Sequence, residues 1–224
     1  MPNPPRERAR ARELAAEFAQ KNNPTGWFEA LYREAESGAA VVPWDDRAPN
    51  PHLLEAWDSL PQSLSKGRAL VVGCGLGNDA EQFAAWGFET TAFDISETAL
   101  RLARQRYPKS KVDYVAANAL NPPGKWSAQF DFVFEAYTLQ ALPADTRAIA
   151  AANIAGFVAP GGHLLVVARA RDASEPAGEM PWPLTRQEFS AFTGGGLQEM
   201  SFEDFIDNNE TPPTRRFRAL YKRG

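Results

Sequence analysis

A doubly wound α/β domain is the fold class the sequence predicts, and three observations predict it. From Arg68 onward short apolar runs alternate with helical segments, the pattern of a parallel sheet covered on both faces. The first of those runs opens into a glycine-rich turn, Gly73-Cys74-Gly75-Leu76-Gly77. A length of 224 residues, 44 % apolar and 23 % charged, suits one core-forming domain, alone or with a small N-terminal appendage. The expected division is 1–66, an N-terminal helix and Trp-rich segment, and 67–224, the sheet domain, folded as one compact unit.

Taken in order, Glu7–Gln20 carries Leu14, Phe18 and alanines at helical spacing and reads as a short amphipathic helix. Ala69–Gly73 is a buried strand and Asn78–Trp86 a helix with Ala80, Phe83 and Ala84 inward. Glu89–Asp94 is the second strand. Ser96 caps a helix that runs to about Arg106 and stops before Pro108. Val112–Ala116 and Phe130–Ala136 are the third and fourth strands. Thr146–Val158 is a helix ending at Pro160-Gly161-Gly162, and His163–Ala168 the fifth strand. A helix near Thr185–Phe192 precedes two last strands, Gln198–Ile206 and Arg215–Tyr221. The break Asp207–Pro213 is too short for a helical crossover, which predicts an antiparallel pair.

Residues 21–66 have no strand periodicity but hold three of the six tryptophans, Trp27, Trp44 and Trp57. Two readings stand side by side: padding for the sheet's outer face, or a lid over a ligand at the strand ends. Composition excludes several classes. The net charge of −4 disfavours general affinity for nucleic acid or anionic membrane. A single cysteine rules out an intrachain disulfide and a cysteine-built zinc site, and two separated histidines leave little for a metal. No apolar run approaches the roughly 20 residues that span a bilayer. Arg6, Arg8, Arg10 and Arg12 are interspersed with Glu7, Glu13 and Glu17, unlike a transit peptide, so a cytoplasmic protein is expected.

The residues after the glycine turn narrow the choice of ligand. A dinucleotide fingerprint starting at Gly73 needs glycine where Asn78 stands, and a Walker loop needs a lysine where Asp79 stands. The G-x-G-x-G form suits a ligand that lays a carboxylate along the loop. Asp94 ends the second strand, where an acid accepts both hydroxyls of a ribose. Loop and acid together specify an adenosyl-type ligand without a 2′-phosphate.

These stretches resemble the ordered motifs of class I S-adenosylmethionine-dependent methyltransferases: 67–79, Phe-Asp-Ile-Ser-Glu-Thr-Ala-Leu at 93–100, Phe-Asp-Phe-Val-Phe-Glu at 130–135 and Ala-Pro-Gly-Gly at 159–162. Gly-Trp at 26–27 and Val-Pro-Trp-Asp at 42–45 are similar to the N-terminal lid of the thiopurine and halide/thiol branch. The resemblance spans about 26–169. It implies a seven-stranded Rossmann-like sheet with an N-terminal helical, Trp-rich lid and S-adenosyl-L-methionine as cofactor. It assigns the cofactor to Gly73, Cys74, Gly75, Gly77 and Asp79 of the loop, to Asp94 with Ile95, to Asn118 and Ala119 beside adenine, to Glu135, and to Trp27 and Trp44 over the sulfonium.

Departures bear on the acceptor. Leu31 stands where the plant halide/thiol enzymes tend to carry a second lid tryptophan, and Asn118 where many class I members have Asp. Glu135-Ala136-Tyr137-Thr138-Leu139-Gln140 replaces the aromatic run of the halide enzymes. Asn121-Pro122-Pro123 resembles a motif of amino-methylating nucleic-acid enzymes, but it comes after strand three rather than four and reads as a turn.

Methyl transfer needs alignment in a dry pocket more than a dedicated base. Tyr137 is the catalytic candidate, lining the pocket or touching the acceptor. Glu135 is expected to meet the cofactor ammonium or a backbone N–H rather than act as base. Arg169 and Arg171 are candidates for an anionic acceptor, weighed against ordinary solvent exposure. Cys74 reads as a small filler, and His52 and His163 receive no catalytic role, the latter expected to be solvated. The expected reaction is methyl transfer to a small molecule, a thiol or other soft nucleophile favoured. An O- or N-acceptor and a non-catalytic cofactor-binding module are the alternatives. No nucleic-acid, membrane or metal partner is expected, and the chain is expected to be a monomer or weak homodimer.

Overall fold

The computed structural model describes residues 5–58, 60 and 67–224, with side chains from residue 8 onward. The expected boundary at 66/67 therefore lies at the edge of residues outside that description. Three helices come first: α1 (Pro5–Gln20), α2 (Gly26–Glu36) and α3 (Pro51–Asp58). The sheet domain then runs β1 (Arg68–Val72), α4 (Asn78–Ala85), β2 (Glu89–Asp94), α5 (Glu97–Arg106), β3 (Asp113–Ala116), β4 (Phe130–Ala136), α6 (Ala144–Phe157), β5 (Val158–Arg169), α7 (Arg186–Gly194), β6 (Leu197–Asp207) and β7 (Thr214–Arg223).

The seven strands lie in the order β3-β2-β1-β4-β5-β7-β6. β1 to β5 are mutually parallel, and β7 inserts antiparallel between β5 and β6. The short Asp207–Pro213 break does give an antiparallel hairpin. Chain order reverses between β1 and β4, the switch point where open α/β sheets bind ligands.

Strand periodicity sorts the core into two layers. Leu70 and Val72 of β1 face a cluster with Ile154 and Phe157 of α6 and Phe189 and Phe192 of α7. Ala69 and Val71 face Phe83 of α4, Leu100 of α5 and Leu53 of α3. Alternate side chains point to opposite faces, so a continuous apolar run is what a sheet covered on both faces requires.

The described residues between 21 and 60 divide between the two expected positions. Residues 25–52 reach over the C-terminal ends of the strands. Leu53 and Trp57 of α3 pad the sheet, Trp57 stacking on Trp86 with ring centroids 4.1 Å apart. One boundary differs from expectation. β5 begins at Val158 rather than His163, because Val158 already pairs with Phe130 before the register jumps to Phe132–His163. Pro160-Gly161-Gly162 fills that jump as an irregularity inside the strand. A Cβ at Gly162 would come within 2.9 Å of the carbonyl oxygens of Ala159 and Phe130. His163 is half-buried rather than solvated, its Nδ1 has no hydrogen-bond partner, and burial beside Lys222 lowers its pKa. Among the described residues no helix is long and apolar enough to cross a membrane.

Phe83 is fully buried at the centre of the α4 layer, against Trp57, Phe88, Phe132 and Phe134. Phe83→Ala is expected to cost about 3–5 kcal/mol in urea denaturation. Ile149→Ala, 53 % exposed on α6, should stay within about 0.5 kcal/mol.

Candidate active site

A cavity of about 430 Å³ opens at the C-terminal ends of the strands. Its floor is built loop by loop: Gly73-Cys74-Gly75 after β1, Asp94-Ile95 after β2, Ala117-Asn118-Ala119 after β3, and Ala136-Tyr137-Thr138 after β4. Arg169 at the end of β5 and Asp207, Glu210 and Arg216 at the β6–β7 hairpin close the far side. Phe28 and Tyr32 of α2, Trp44 and Asn50 form the roof.

The glycine turn is shaped from two directions. Gly75 has φ +51°, and a Cβ there would meet the Tyr32 hydroxyl at 2.7 Å. Gly77 has φ +89° and packs against the Tyr114 hydroxyl, away from the cavity, so its role is to let the turn enter α4. Asp94 is buried below this turn. Its Oδ2 accepts the N–H of Gly75 at 2.9 Å and its Oδ1 the N–H of Ser96 at 2.9 Å. The Ile95 N–H is a third backbone donor to this carboxylate, which still keeps acceptor capacity for a hydroxyl. Burial nevertheless raises its pKa to about 6. Asp79 is likewise raised to about 6 by burial, although it accepts the N–H of Asn50 at 2.7 Å.

The roof is latched to the floor by polar contacts. Glu29 of α2 accepts Thr98 Oγ1–H and Ser96 Oγ–H, both at 2.7 Å, at the start of α5. Asp45 takes a two-pronged pair from Arg106, both contacts 2.8 Å. Within the roof, Trp44 Nε1–H donates to Tyr32 Oη at 2.9 Å.

Of the expected site residues, Trp44, Gly73, Cys74, Gly75, Asp79, Asp94, Ile95, Asn118, Ala119 and Tyr137 lie on the cavity wall. Three do not. Trp27 is buried between α1 and α2 and stacks behind Phe28, centroids 3.9 Å apart, so Phe28 presents the ring to the cavity. Gly77 lies behind the turn. Glu135 sits behind Thr138, where its Oε1 accepts the N–H groups of Thr138 at 2.8 Å and Leu139 at 3.0 Å. Of the two roles expected for it, this is the backbone one; burial raises its pKa to about 7. Asn118 spends its side-chain oxygen on the Leu120 N–H at 2.9 Å.

Tyr137 holds φ +67°, a strained conformation for a non-glycine residue and one that clusters at functional sites. Its ring lies under the Arg216 guanidinium, 4.9 Å from the centroid, and burial raises the phenol to about 12. At neutral pH it keeps its proton, and it lines the cavity.

Sequence reasoning missed Phe28, Tyr32, Arg216 and Glu210. The signal for the first two was present: Trp27, Phe28, Leu31 and Tyr32 give α2 a double apolar stripe, wider than one core contact needs. Arg169, weighed against solvent exposure, turns into the cavity. Arg171 binds the Pro183, Asp172 and Glu175 carbonyls instead. His52 is also on the wall, buried, with Nε2 3.0 Å from Asp207 Oδ2.

Residues 69–162 match the family described as a methyltransferase domain. A "probable thiol methyltransferase 2" of Arabidopsis thaliana is 28 % identical over 188 residues, covering 80 % of this chain and 76 % of that protein. Thiocyanate methyltransferase 1 of the same plant is 29 % identical, covering 69 % and 66 %. Among solved structures, N-methyltransferase NodS from Bradyrhizobium japonicum bound to S-adenosyl-L-homocysteine shares the fold. Its TM-score is 0.64 at 24 % identity, over 88 % of this chain and 97 % of that one. The methyltransferase domain matched over 69–162, the sheet order and the glycine turn with Asp94 support a class I S-adenosylmethionine-dependent methyltransferase. Within that class the chain resembles the thiol methyltransferases.

The chain's own residues fit this cofactor: a glycine turn that leaves Gly75 without a Cβ, a buried acid facing the cavity, and acidic rather than basic side chains around the turn. Gly75→Val, which fills that space at a positive φ, is expected to abolish S-adenosylmethionine binding in calorimetric titration while circular dichroism stays unchanged. With Asp94 as the expected ribose partner, bound hydroxyls would favour its ionised carboxylate and lower its pKa below the free value of about 6. Cofactor affinity should therefore rise with pH through about 6 and fall towards pH 5. Asp94→Ala should weaken binding at pH 8 by about 1.5–3 kcal/mol and remove most of that pH dependence.

Proposed function

We propose that this chain methylates a small thiol, with the acceptor entering over Tyr137 and the β6–β7 hairpin. The observation that carries the reading is the state of the titratable groups on that side of the cavity. Tyr137 holds its proton to about 12, His52 is bonded to Asp207, and Glu210 is paired with arginines. A wall of spoken-for groups suits an acceptor that arrives already nucleophilic, as a thiolate does near neutral pH. The thiol and thiocyanate methyltransferase relatives support the same class.

The cofactor supplies an electrophilic methyl on a sulfonium sulfur. Gly73–Gly75, Asp94 and Asn118-Ala119 hold the donor end, with Asp94 taking ribose hydroxyls. Phe28, Trp44 and Tyr137 exclude water and align the acceptor sulfur for in-line displacement. The bound cofactor would give up that methyl to the acceptor sulfur and be left as a neutral thioether, while the thiol proton, with no free base among the described residues of this wall to take it, would go to solvent.

With S-adenosylmethionine and a panel of thiols, phenols and amines, S-adenosylhomocysteine release is expected with thiols at least tenfold above the other classes in kcat/KM. Turnover confined to phenols or amines overturns the acceptor assignment. Trp44→Ala is expected to lower kcat/KM for the best thiol about tenfold by opening the roof.

A further inference from the structure

The two ends of the cavity carry opposite charge. Asp46, Asp79 and Asp94 line the end near the glycine turn, together with Asp45, which Arg106 already neutralises. Arg8, Arg169 and Arg216 line the other end. These arginines come from α1, the end of β5 and the start of β7, so only the folded chain brings them together.

One turn residue, Glu210, is the counter-charge that all three share. Glu210 Oε2 lies 3.0 Å from Arg169 Nη2 and 3.7 Å from Arg8 Nη2, its Oε1 pairs with Arg216, and Thr214 Oγ1–H donates to it at 3.1 Å. Arg216, almost fully buried, also reaches Asp207 Oδ2 at 2.8 Å, which His52 shares. Among the described residues, three guanidinium groups therefore face two carboxylates, one positive charge in excess. Arg169 shows the imbalance: burial and the fields of Arg8 and Arg216 lower its pKa. Guanidinium forks recognise carboxylates in two-pronged geometry.

We propose that Arg8, Arg169 and Arg216 form a subsite for a carboxylate carried by the acceptor, and that Glu210 occupies this subsite until the acceptor takes its place. The proposal rests on the methyl-acceptor reading above and sharpens it: the preferred substrate is a thiol bearing a carboxylate. A cationic donor sits at the acidic end, an anionic acceptor at the basic end, and the field along the cavity orients both. Glu210 lies in the Asp207–Pro213 connection rather than on a strand, with a quarter of its side chain exposed, so it can withdraw without breaking the sheet.

The test compares 3-mercaptopropionate with its neutral amide, which places an equivalent thiol on the same chain length. The wild type should favour the acid at least tenfold in kcat/KM. Arg169→Gln should bring that ratio close to one through the KM of the acid, with Arg8→Gln lowering it in the same direction if Arg169→Gln does not fold. Glu210→Gln, which removes the competing anion, should raise the ratio severalfold. In parallel, 3-(methylthio)propionate is titrated calorimetrically into enzyme saturated with S-adenosylhomocysteine; Arg169→Gln should weaken its binding about tenfold. Thiol turnover with an acid-to-amide ratio near one in all variants overturns the subsite and leaves the thiol reading standing. No thiol turnover, but carboxylate binding that Arg169→Gln weakens, upholds the subsite and overturns the thiol reading. A wild type that binds no 3-(methylthio)propionate, or binds it as well after Arg169→Gln, identifies Glu210 as a structural ion pair only.

Discussion

The buried carboxylate of Asp94 is the contact on which the donor end of the molecule depends. It ties the glycine turn after β1 to the start of α5 after β2, by accepting one N–H from each. Neighbouring parallel strands bring the two loops into range, and the carboxylate fixes their separation. Burying that charge is costly, as its raised pKa records, and the backbone amides offset only part of the cost. Such a group is poorly spent on stability alone and well suited to a ligand that adds hydroxyl donors and positive charge.

The roof is built around the same seam. Glu29 binds the hydroxyls of Ser96 and Thr98 beside Asp94, at the N-terminus of α5, where a negative charge meets the helix dipole favourably. Asp45 reaches the end of α5 through Arg106, and Asn50 reaches Asp79 of α4. All three latches land on the donor half of the sheet. The acceptor half is closed by a different device, the cluster of Arg8, Arg169, Arg216 and Glu210. The two ends of the cavity are thus held by separate sets of contacts, the arrangement that a fixed cofactor site beside the proposed exchangeable subsite requires.

Much of the architecture was legible because its causes are local. Apolar runs broken by turn residues located β2 and β4 to the residue, and Ser96 was recognisable as the cap of α5, its hydroxyl accepting the Ala99 N–H. The β5 boundary was not, because Val158 enters the sheet through pairing with Phe130, a contact that Pro160-Gly161-Gly162 conceals in the sequence. The helix α2 itself was not read from the sequence, where 21–66 showed only missing strand periodicity and a cluster of tryptophans. The family resemblance placed Trp27 over the sulfonium, yet the packing of α1 against α2 buries Trp27 and turns Phe28 and Tyr32 to the cavity.

By itself the sequence determined the order of elements from β1 onward, the two-faced sheet, the glycine turn and the acid that ends β2. Each of these arises from propensity and periodicity within a few consecutive residues. The tertiary structure alone decided that Glu135 faces a turn rather than the cavity, that Arg169 points inward while Arg171 does not, and that Arg8, Arg169 and Arg216 share Glu210. Those outcomes depend on where strand ends lie relative to one another across the sheet. Residues separated by most of the chain meet there because parallel strands deliver their C-terminal ends to one edge, a coincidence that no local pattern encodes.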